Sequence, residues 1–512
     1  MDLSLNDRAD GTERRVDRQA RFDAWAVALF ATVLCALGAA RPSLWFDEAA
    51  TISAATRTVA QLWDLVGHID AVHGLYYLGM HGWFAVFPAT EFWSRFSSCL
   101  AVGGAAGGVV ILGRQFGTRT VSVCAGVLFA MLPRITWAGI EARSYAWSTL
   151  AAVWLTVLLV TAIRRDRGTL WAAYGALLAF STVLNIFVVL MVIPHAVAVA
   201  MLCDHRRPRA RWAVATTAAV LVVVPFILWC RSQSFQVGWI SPLGLHTVAE
   251  VLLEQYFDHS VAFAVVAAFV LSAPLLVRRL RPTDDSTRPL VAVAAAWVVA
   301  PTTVLVTYSA VGQPLYYPRY LCFTTPAMAL LLAVCVVALA RNREWITASL
   351  AVFALAATPN YITVQRGPYA KEGMDFSQVA DVITAHSSPG DCIVFDNTTS
   401  WKPGPIRPIT AARPAAYADL VDPGRGRPAW QRNRLWDAHL GIWGVADELR
   451  RCTVLWTVSE RDPSVPSRQS GSRLAPGPRL DRAPAYQVPE GMGFHIVERW
   501  QFNFAQVVKS IR

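Results

Sequence analysis

The sequence predicts a mainly α, polytopic membrane protein that carries a small α/β domain at its C-terminal end. Three observations predict it. Hydrophobic residues make up 54% of the chain against 16% charged, with a mean hydropathy of +0.38. The apolar residues gather in runs of spanning length, and the basic residues gather in short clusters between those runs. A chain of 512 residues with this composition has more apolar surface than a soluble fold buries, so lipid is its solvent over much of its length. The formal net charge of +11 would suit a nucleic acid if it formed one patch. Distributed between apolar runs, it marks membrane orientation and argues against a nucleic-acid partner.

Residues 1–23 form a polar, arginine-rich tail, with Arg14, Arg15, Arg18 and Arg21 just before the apolar run Ala24 to Ala40. Positive-inside reasoning puts this tail in the cytoplasm. The run ends in Gly38-Ala39-Ala40, small residues of the kind that precede a signal-peptidase cut. Its length and its long polar leader favour a first membrane helix instead. A large outer loop, 41–94, follows. Its one apolar stretch, Leu75 to Phe87, is interrupted by His81 and Gly82 and is short of the ~20 residues that a spanning helix needs, so it reads as an interfacial or re-entrant helix.

Ten further spans are expected. Phe96 to Leu112 leads inward to Arg114 and Arg119, Val121 to Ile140 leads out, and Tyr145 to Ala162 returns to Arg164, Arg165 and Arg167. Leu170 to Met201 holds two spans with an outer turn near Asn185, delivering Arg206, Arg207, Arg209 and Arg211 to the inside. Trp212 to Trp229 precedes an outer loop from Arg231 to His259, and Val261 to Val277 ends at Arg278, Arg279 and Arg281. Leu290 to Tyr308 leads to the outer loop Ser309 to Tyr320, Leu321 to Ala340 to Arg341 and Arg343, and Trp345 to Thr358 delivers the rest of the chain outside. Eleven helices sort every arginine-rich run to one side. Counting Leu75 to Phe87 as a twelfth would switch the later runs across, so Arg207 and Arg279 are expected in the cytoplasm, and Asp47 and Trp401 outside.

The membrane module is thus 24–358, and 359–512 reads as an extracytoplasmic soluble domain with frequent proline, arginine and tryptophan and no spanning run. Phe376 to Ala385 has helical periodicity, Pro389-Gly390 is a turn, and Asp391 to Phe395, Thr453 to Val458 and Gly493 to Val497 are strand-like. Arg413 to Pro428 and Pro463 to Pro484 read as loops. Seven of the nine cysteines, Cys35, Cys99, Cys124, Cys203, Cys230, Cys322 and Cys335, lie in or beside apolar runs with no C-x-x-C spacing. They read as small buried hydrophobes. Cys392 and Cys452 would pair if their domain faces an oxidising compartment, which two cysteines alone leave open.

Chemistry is expected where polar residues collect on the outer face. Trp45-Phe46-Asp47-Glu48 directly follows the first helix, and Asp70 and His73 return to the same loop ahead of Gly74-Leu75-Tyr76-Tyr77. Glu141-Ala142-Arg143-Ser144-Tyr145 stands at the outer end of the third helix, and Tyr316-Tyr317-Pro318-Arg319-Tyr320 before the tenth. Two adjacent acids at a membrane boundary are costly unless solvated, paired or used. Together with two arginines on the same face they suit a sugar-phosphate lipid: a carboxylate to activate an acceptor hydroxyl, and guanidinium groups to hold the departing phosphate. His195, after Pro194, reads as a packed histidine, Asp258-His259 as a solvated helix end, and His68 and His81 as interfacial. The chain has no phosphate loop, no metal-ligand spacing and no G-x-S-x-G elbow.

The acid pair after the first helix, the histidine segment about 25 residues later, Phe92 to Arg95 entering the second helix, Arg143-Ser144-Tyr145, and Pro318-Arg319-Tyr320 form an ordered set. Together they resemble the GT-C superfamily of polyprenyl-phosphate-sugar-dependent glycosyltransferases. Nearest in pattern are the protein O-mannosyltransferase-like and lipid A aminoarabinose transferase-like members and the related bacterial mannosyltransferases. The resemblance covers about residues 24 to 340 and departs at His73-Gly74-Leu75, where relatives often carry His-Pro-Pro. It implies a GT-C-type body and an inverting transfer of a sugar, mannose first and arabinose next, from a polyprenyl-phosphate donor to an extracytoplasmic glycan, lipid or protein acceptor. Asp47 and Glu48 would be catalytic, with Arg143, Arg319, Tyr145 and Tyr320 at the donor phosphate and His73, Tyr76 and Glu141 at the substrate. Some relatives use a divalent metal, Mg or Mn, which would bridge Asp47 and the phosphate. A lipid-linked sugar flippase or a membrane scaffold would share the polytopic body, but neither needs acids fixed beside the first helix, and no transporter-like internal repeat is found.

Overall fold

The computed structural model describes residues 3–276, 287–340, 342–396, 406–466, 471–475 and 484–512. Arg278, Arg279, Arg281, Arg341 and Trp401, and parts of the expected loop Pro463 to Pro484, lie outside the described residues. The chain divides into two compact units, each assembled from separate stretches. One comprises residues 1–39, 70–76 and 95–365, and the other residues 40–69, 77–94 and 366–512.

The first unit is helical. Among the described residues all eleven expected segments form helices, of which seven are long and apolar enough to cross a membrane: Arg18–Ala36, Glu91–Phe116, Tyr145–Arg165, Arg206–Ser232, Thr287–Val311, Pro318–Leu339 and Arg343–Val364. An eighth is a pair, Leu245–Phe257 and Val261–Pro274, bent by 90°. Arg119–Met131, Gly168–Leu184 and Ile186–Leu202 are apolar but shorter. The chain is accordingly a multi-pass membrane protein with a mainly helical body. The helix Gly74–Phe84 has eleven residues, about 16 Å of rise, and is too short to span.

Local chemistry explains where the segments stop. The first helix ends at Ala36, before Gly38 takes up φ +73, a left-handed conformation open to glycine without a Cβ penalty. The expected span Val121 to Ile140 is broken into Arg119–Met131 and Pro133–Ala138. Pro133 disfavours the helical conformation at Leu132, which adopts ψ 124. Gly103 and Gly107 let the helix Glu91–Phe116 press onto the first helix. A Cβ on Gly103 would stand 2.0 Å from Thr32 Oγ1, and one on Gly107 3.1 Å from the Ala24 carbonyl.

Three of the basic runs expected on the inside are tied to neighbouring segments of this unit. Arg119 holds Asp23 through two nitrogens at 2.6 and 2.8 Å, Arg164 donates to the Gln115 carbonyl, and Arg211 meets Asp166 at 2.9 Å.

The second unit is α/β. Its sheet contains β1 (Cys392–Phe395), β2 (Val454–Glu460), β3 (Arg473–Leu474), β4 (His495–Gln501) and β5 (Ala505–Ile511), in the order β1-β2-β5-β4-β3. β1 and β2 are parallel, and the remaining neighbours are antiparallel. The helix Phe376–His386 lays Phe376, Val379 and Ile383 against Ile393, Trp456, Trp500 and Val507. Cys392 and Cys452 form a disulfide with their Cα atoms 5.9 Å apart.

The stretch 40–69 supplies part of this unit's core. Leu44, Trp45, Ala49 and Ile52 are buried in the same apolar cluster as Phe376, Ile393 and Trp456. The Leu44 amide donates to Ser377 Oγ at 2.9 Å, the Ser43 amide to the Pro368 carbonyl at 2.8 Å, and Ser53 Oγ to the Leu435 carbonyl at 2.5 Å. Phe46 meets Trp436 edge to face at 5.2 Å.

Candidate active site

In the second unit, Asp47 and Glu48 occupy the first turn of the helix Phe46–Ala55, after Trp45 in extended backbone. Unsatisfied amides and the helix dipole favour negative charge there. Glu48 is fully buried and Asp47 partly so. The carbonyl of Asp47 accepts from Thr51 Oγ1 at 3.3 Å. The helix is short, and its position is set by the apolar face it shares with the sheet domain, through Trp45, Ala49 and Ile52.

In the first unit, the expected outer segments come together. His73 closes the turn Ala71–His73, after Asp70 at φ +62. That turn is tied to the loop after the helix Arg206–Ser232: the Asp70 amide donates to Gln236 Oε1 at 3.2 Å and the Ala71 amide to Gln233 Oε1 at 2.9 Å. Tyr76 is buried. Gln313 Nε2 donates to the Ser234 carbonyl at 3.0 Å, which joins the same loop to the segment leading to Arg319.

Arg319 is 7% exposed. Its guanidinium lies 4.7 Å from the Tyr317 ring and 5.7 Å from the Trp239 ring, and these two rings pack edge to face. Aromatic faces at this distance hold a guanidinium in place by cation–π attraction. Tyr320 stacks on Phe187, with centroids 5.4 Å apart, and with Trp137 it flanks a small buried cluster of Ala138, Tyr145 and Cys322. Tyr145 begins the helix Tyr145–Arg165. Glu141 and Arg143 just ahead of it are both buried, and the Glu141 carbonyl accepts from Ser98 Oγ at 2.7 Å. Of the residues expected at the donor phosphate, Tyr145 and Tyr320 thus meet at one cluster, and Arg319 stands beside Tyr320 through Tyr317.

One expectation needs amendment. Asp258 is not a solvated helix end. It is 6% exposed, sits at φ +46 in the bend between Leu245–Phe257 and Val261–Pro274, and pairs with Arg134 at 2.9 Å. Gln365 Nε2 donates to its second carboxylate oxygen at 2.9 Å, Asn360 Nδ2 to its carbonyl at 2.6 Å, and Arg134 Nε to the Glu254 carbonyl at 3.1 Å. The sequence reading missed Arg134, whose only local signal is an arginine after proline inside an apolar run. His81 Nδ1 lies 2.9 Å from the Ala55 carbonyl. His195 is fully buried and accounted for, with Thr156 Oγ1 3.0 Å from Nε2 and the Tyr174 hydroxyl 2.9 Å from Nδ1. Among the described residues no group of three or more His, Cys, Asp or Glu side chains is placed to hold a metal ion.

No protein-family model matches the sequence, and no curated protein sequence is similar to it. Solved structures are similar in fold. ArnT from Cupriavidus metallidurans bound to undecaprenyl phosphate superposes with a TM-score of 0.56 at 11% identity, over 94% of this chain and 97% of that one. Its apo state gives the same values. AglB from Archaeoglobus fulgidus, an archaeal oligosaccharyltransferase in complex with an inhibitory peptide and a dolichol-phosphate, gives a TM-score of 0.43 at 13% identity over 85% of this chain and 69% of that one, a likeness too loose to argue from. The near full-length match to ArnT is one of fold: a GT-C-type membrane body with a C-terminal sheet domain.

Proposed function

We propose that this chain, with the fold of ArnT from end to end, is an integral membrane glycosyltransferase that takes a sugar from a polyprenyl-phosphate donor. The observation that carries the reading is that match over 94% of the chain to a protein crystallised with undecaprenyl phosphate, together with an acid pair in the first turn of the helix Phe46–Ala55, the next helix after the first membrane helix. The N-terminal tail is cytoplasmic and the sheet domain extracytoplasmic, as the distribution of basic runs between the apolar ones supports. The acceptor is an extracytoplasmic glycan, lipid or protein, and the sugar is mannose.

Asp47 accepts the proton of the acceptor hydroxyl as that oxygen attacks the anomeric carbon, and Glu48 supports its placement. The bond from the anomeric carbon to the phosphate oxygen breaks with its electron pair on the phosphate, which departs as polyprenyl phosphate, and the anomeric configuration inverts. Arg143 and Arg319, with the Tyr145 and Tyr320 hydroxyls, stabilise the charge that develops on the leaving phosphate. The aromatic bracket around Arg319 supports this role, because it fixes the guanidinium beside two rings. His73, Tyr76 and Glu141 contact the sugar.

The test is sugar transfer by the purified protein in detergent, where a flippase has no measurable activity, from synthetic polyprenyl-phosphate mannose, arabinose and glucose. Transfer from mannose is expected. Transfer only from another sugar would overturn the mannose assignment, and no transfer from any polyprenyl-phosphate sugar would overturn the transferase reading.

A further inference from the structure

Three interruptions of regular helix meet at one buried place in the first unit. Leu132 leaves the helical conformation ahead of the six-residue helix Pro133–Ala138. Asp258 and His259 both take up positive φ at the 90° bend, and the helix Arg343–Pro359 runs into a π-helical turn, Asn360–Val364. Gln365, directly after that turn, holds the other two. Its Nε2 donates to the Pro133 carbonyl at 2.7 Å and to Asp258 Oδ2 at 2.9 Å, and its Oε1 accepts from Thr136 Oγ1 at 2.8 Å. Arg134 completes the knot, meeting Asp258 Oδ1 at 2.9 Å through Nη1 and the Glu254 carbonyl through Nε and Nη2. Positive φ at residues other than glycine and π turns are both uncommon, and both gather at functional sites.

Two ring contacts lead from this knot to residues assigned to the donor phosphate. Arg134 and Trp137 share the helix Pro133–Ala138, and the Arg134 guanidinium lies over the Trp137 ring, 5.0 Å from its centroid. Trp137 in turn meets the Tyr145 ring at 5.8 Å and, with Tyr320, flanks the cluster of Ala138, Tyr145 and Cys322. A helix of six residues is too short to hold its own place, so the ties on Pro133, Arg134 and Thr136 set where Trp137 stands. An apolar pair of similar volume at 134 and 258 would often be as stable as the buried ion pair. Packing therefore gives no reason for charge at these positions, whereas a guanidinium fixed over a ring does.

We propose that Arg134 and Asp258 are positioning residues for the transfer step: Asp258 holds Arg134, Arg134 sets the Trp137 ring, and the ring keeps Tyr145 and Tyr320 where charge develops on the leaving phosphate. This role rests on the transferase reading above. The donor phosphate is already anionic when it binds and gains further charge as its bond to the anomeric carbon breaks. Groups fixed in advance act most on that added charge, so loosening the two tyrosines lowers turnover more than donor affinity.

Two variants test it. The Arg134→Met/Asp258→Leu double variant removes both charges without leaving one unmatched, and Trp137→Leu removes the ring while keeping the pair. For each full-length protein in detergent, the stoichiometry and affinity of polyprenyl phosphate binding are measured beside turnover with the polyprenyl-phosphate sugar that the wild type uses. Binding should stay stoichiometric, with affinity within about threefold of the wild type, while kcat falls by roughly 10- to 100-fold, the scale of a misplacement of ~1 Å. Trp137→Phe, which keeps an aromatic face, should recover most of what Trp137→Leu loses. A purely structural role has a different signature: misfolded protein lowers stoichiometry and turnover in the same proportion, and the binding-competent fraction keeps its normal kcat. That outcome, or wild-type turnover in the double variant, would overturn the positioning role and leave the transferase reading intact. Wild-type protein that transfers from no donor sinks the transferase reading and this role with it.

Discussion

Arg134 and Asp258, 124 residues apart in the sequence, meet at 2.9 Å with both side chains almost wholly shielded from water. The pair sits where the helix Leu245–Phe257 turns by 90° into the next, and its remaining hydrogen-bonding capacity is taken by Gln365 and the Glu254 carbonyl. A buried pair with this much support tolerates the loss of one partner poorly, because the survivor is left charged and unmatched. Arg134→Met and Asp258→Leu should each destabilise the protein by about 3–5 kcal/mol, and the double variant by less than their sum. Thermal unfolding in detergent checks this. Additive losses would show that the two charges are not coupled.

The catalytic assignment makes opposite demands on acids and arginines. Asp47→Asn keeps the shape and removes the base, so transfer should fall by roughly 10²–10⁴-fold while donor affinity holds. Arg143→Ala and Arg319→Ala should weaken both donor binding and turnover. Arg319→Lys should recover little, since an ammonium lacks the planar face that packs between Tyr317 and Trp239. Turnover and donor affinity are measured on each purified variant, and near-normal turnover in Asp47→Asn would remove the base from the mechanism.

Asp375 gives the second unit a pH signature. Burial pushes its carboxyl from 3.8 up to about 6, even though its Oδ2 accepts from the Phe504 and Ala505 amides at 2.7 and 2.8 Å. A carboxyl raised in the folded state contributes stability that is fully present below its unfolded pKa and lost as pH rises through the folded one. Over the roughly two-unit gap the loss amounts to about 3 kcal/mol. Asp375→Asn should therefore gain on the wild type as pH rises from about 4 to about 6 and hold level above that. The difference between the two proteins' melting curves across that range reads it out, and a difference that does not change with pH would contradict the raised pKa.

The disulfide tests placement and stability together. Cys392 and Cys452 are 60 residues apart, so on the chain-entropy view their link is worth about 4 kcal/mol. The Cys392→Ser/Cys452→Ser double variant should unfold at a clearly lower temperature. In intact cells, the wild-type pair should resist alkylation until reduced, as an extracytoplasmic domain requires. A pair alkylated without reduction would place the domain in the cytoplasm.

The order and type of the helices were legible because they are local properties. Apolar runs, the arginines between them and breakers such as Pro133 and Gly38 act on their own neighbourhoods. The same holds for β1, β2 and the helix Phe376–His386. β5, the strand that β2 and β4 both pair with, was missed because its sequence, Ala505 to Ile511, mixes Gln506, Lys509 and Ser510 into the apolar pattern and gains its identity from two partners.

By itself, the sequence determined that this is a multi-pass membrane protein with a sheet domain, and that its acids and arginines stand beside the ends of its apolar runs. Tertiary structure alone decided which of these residues meet. It packed the helix bearing Asp47 and Glu48 with residues more than three hundred positions later, through contacts such as Ser53 to Leu435. It also bracketed Arg319 with Trp239 and Tyr317 and closed Arg134 on Asp258. Each of these depends on burial and on partners distant in sequence, and the energy of a buried charge is set by what surrounds it in space, which no run of neighbouring residues encodes.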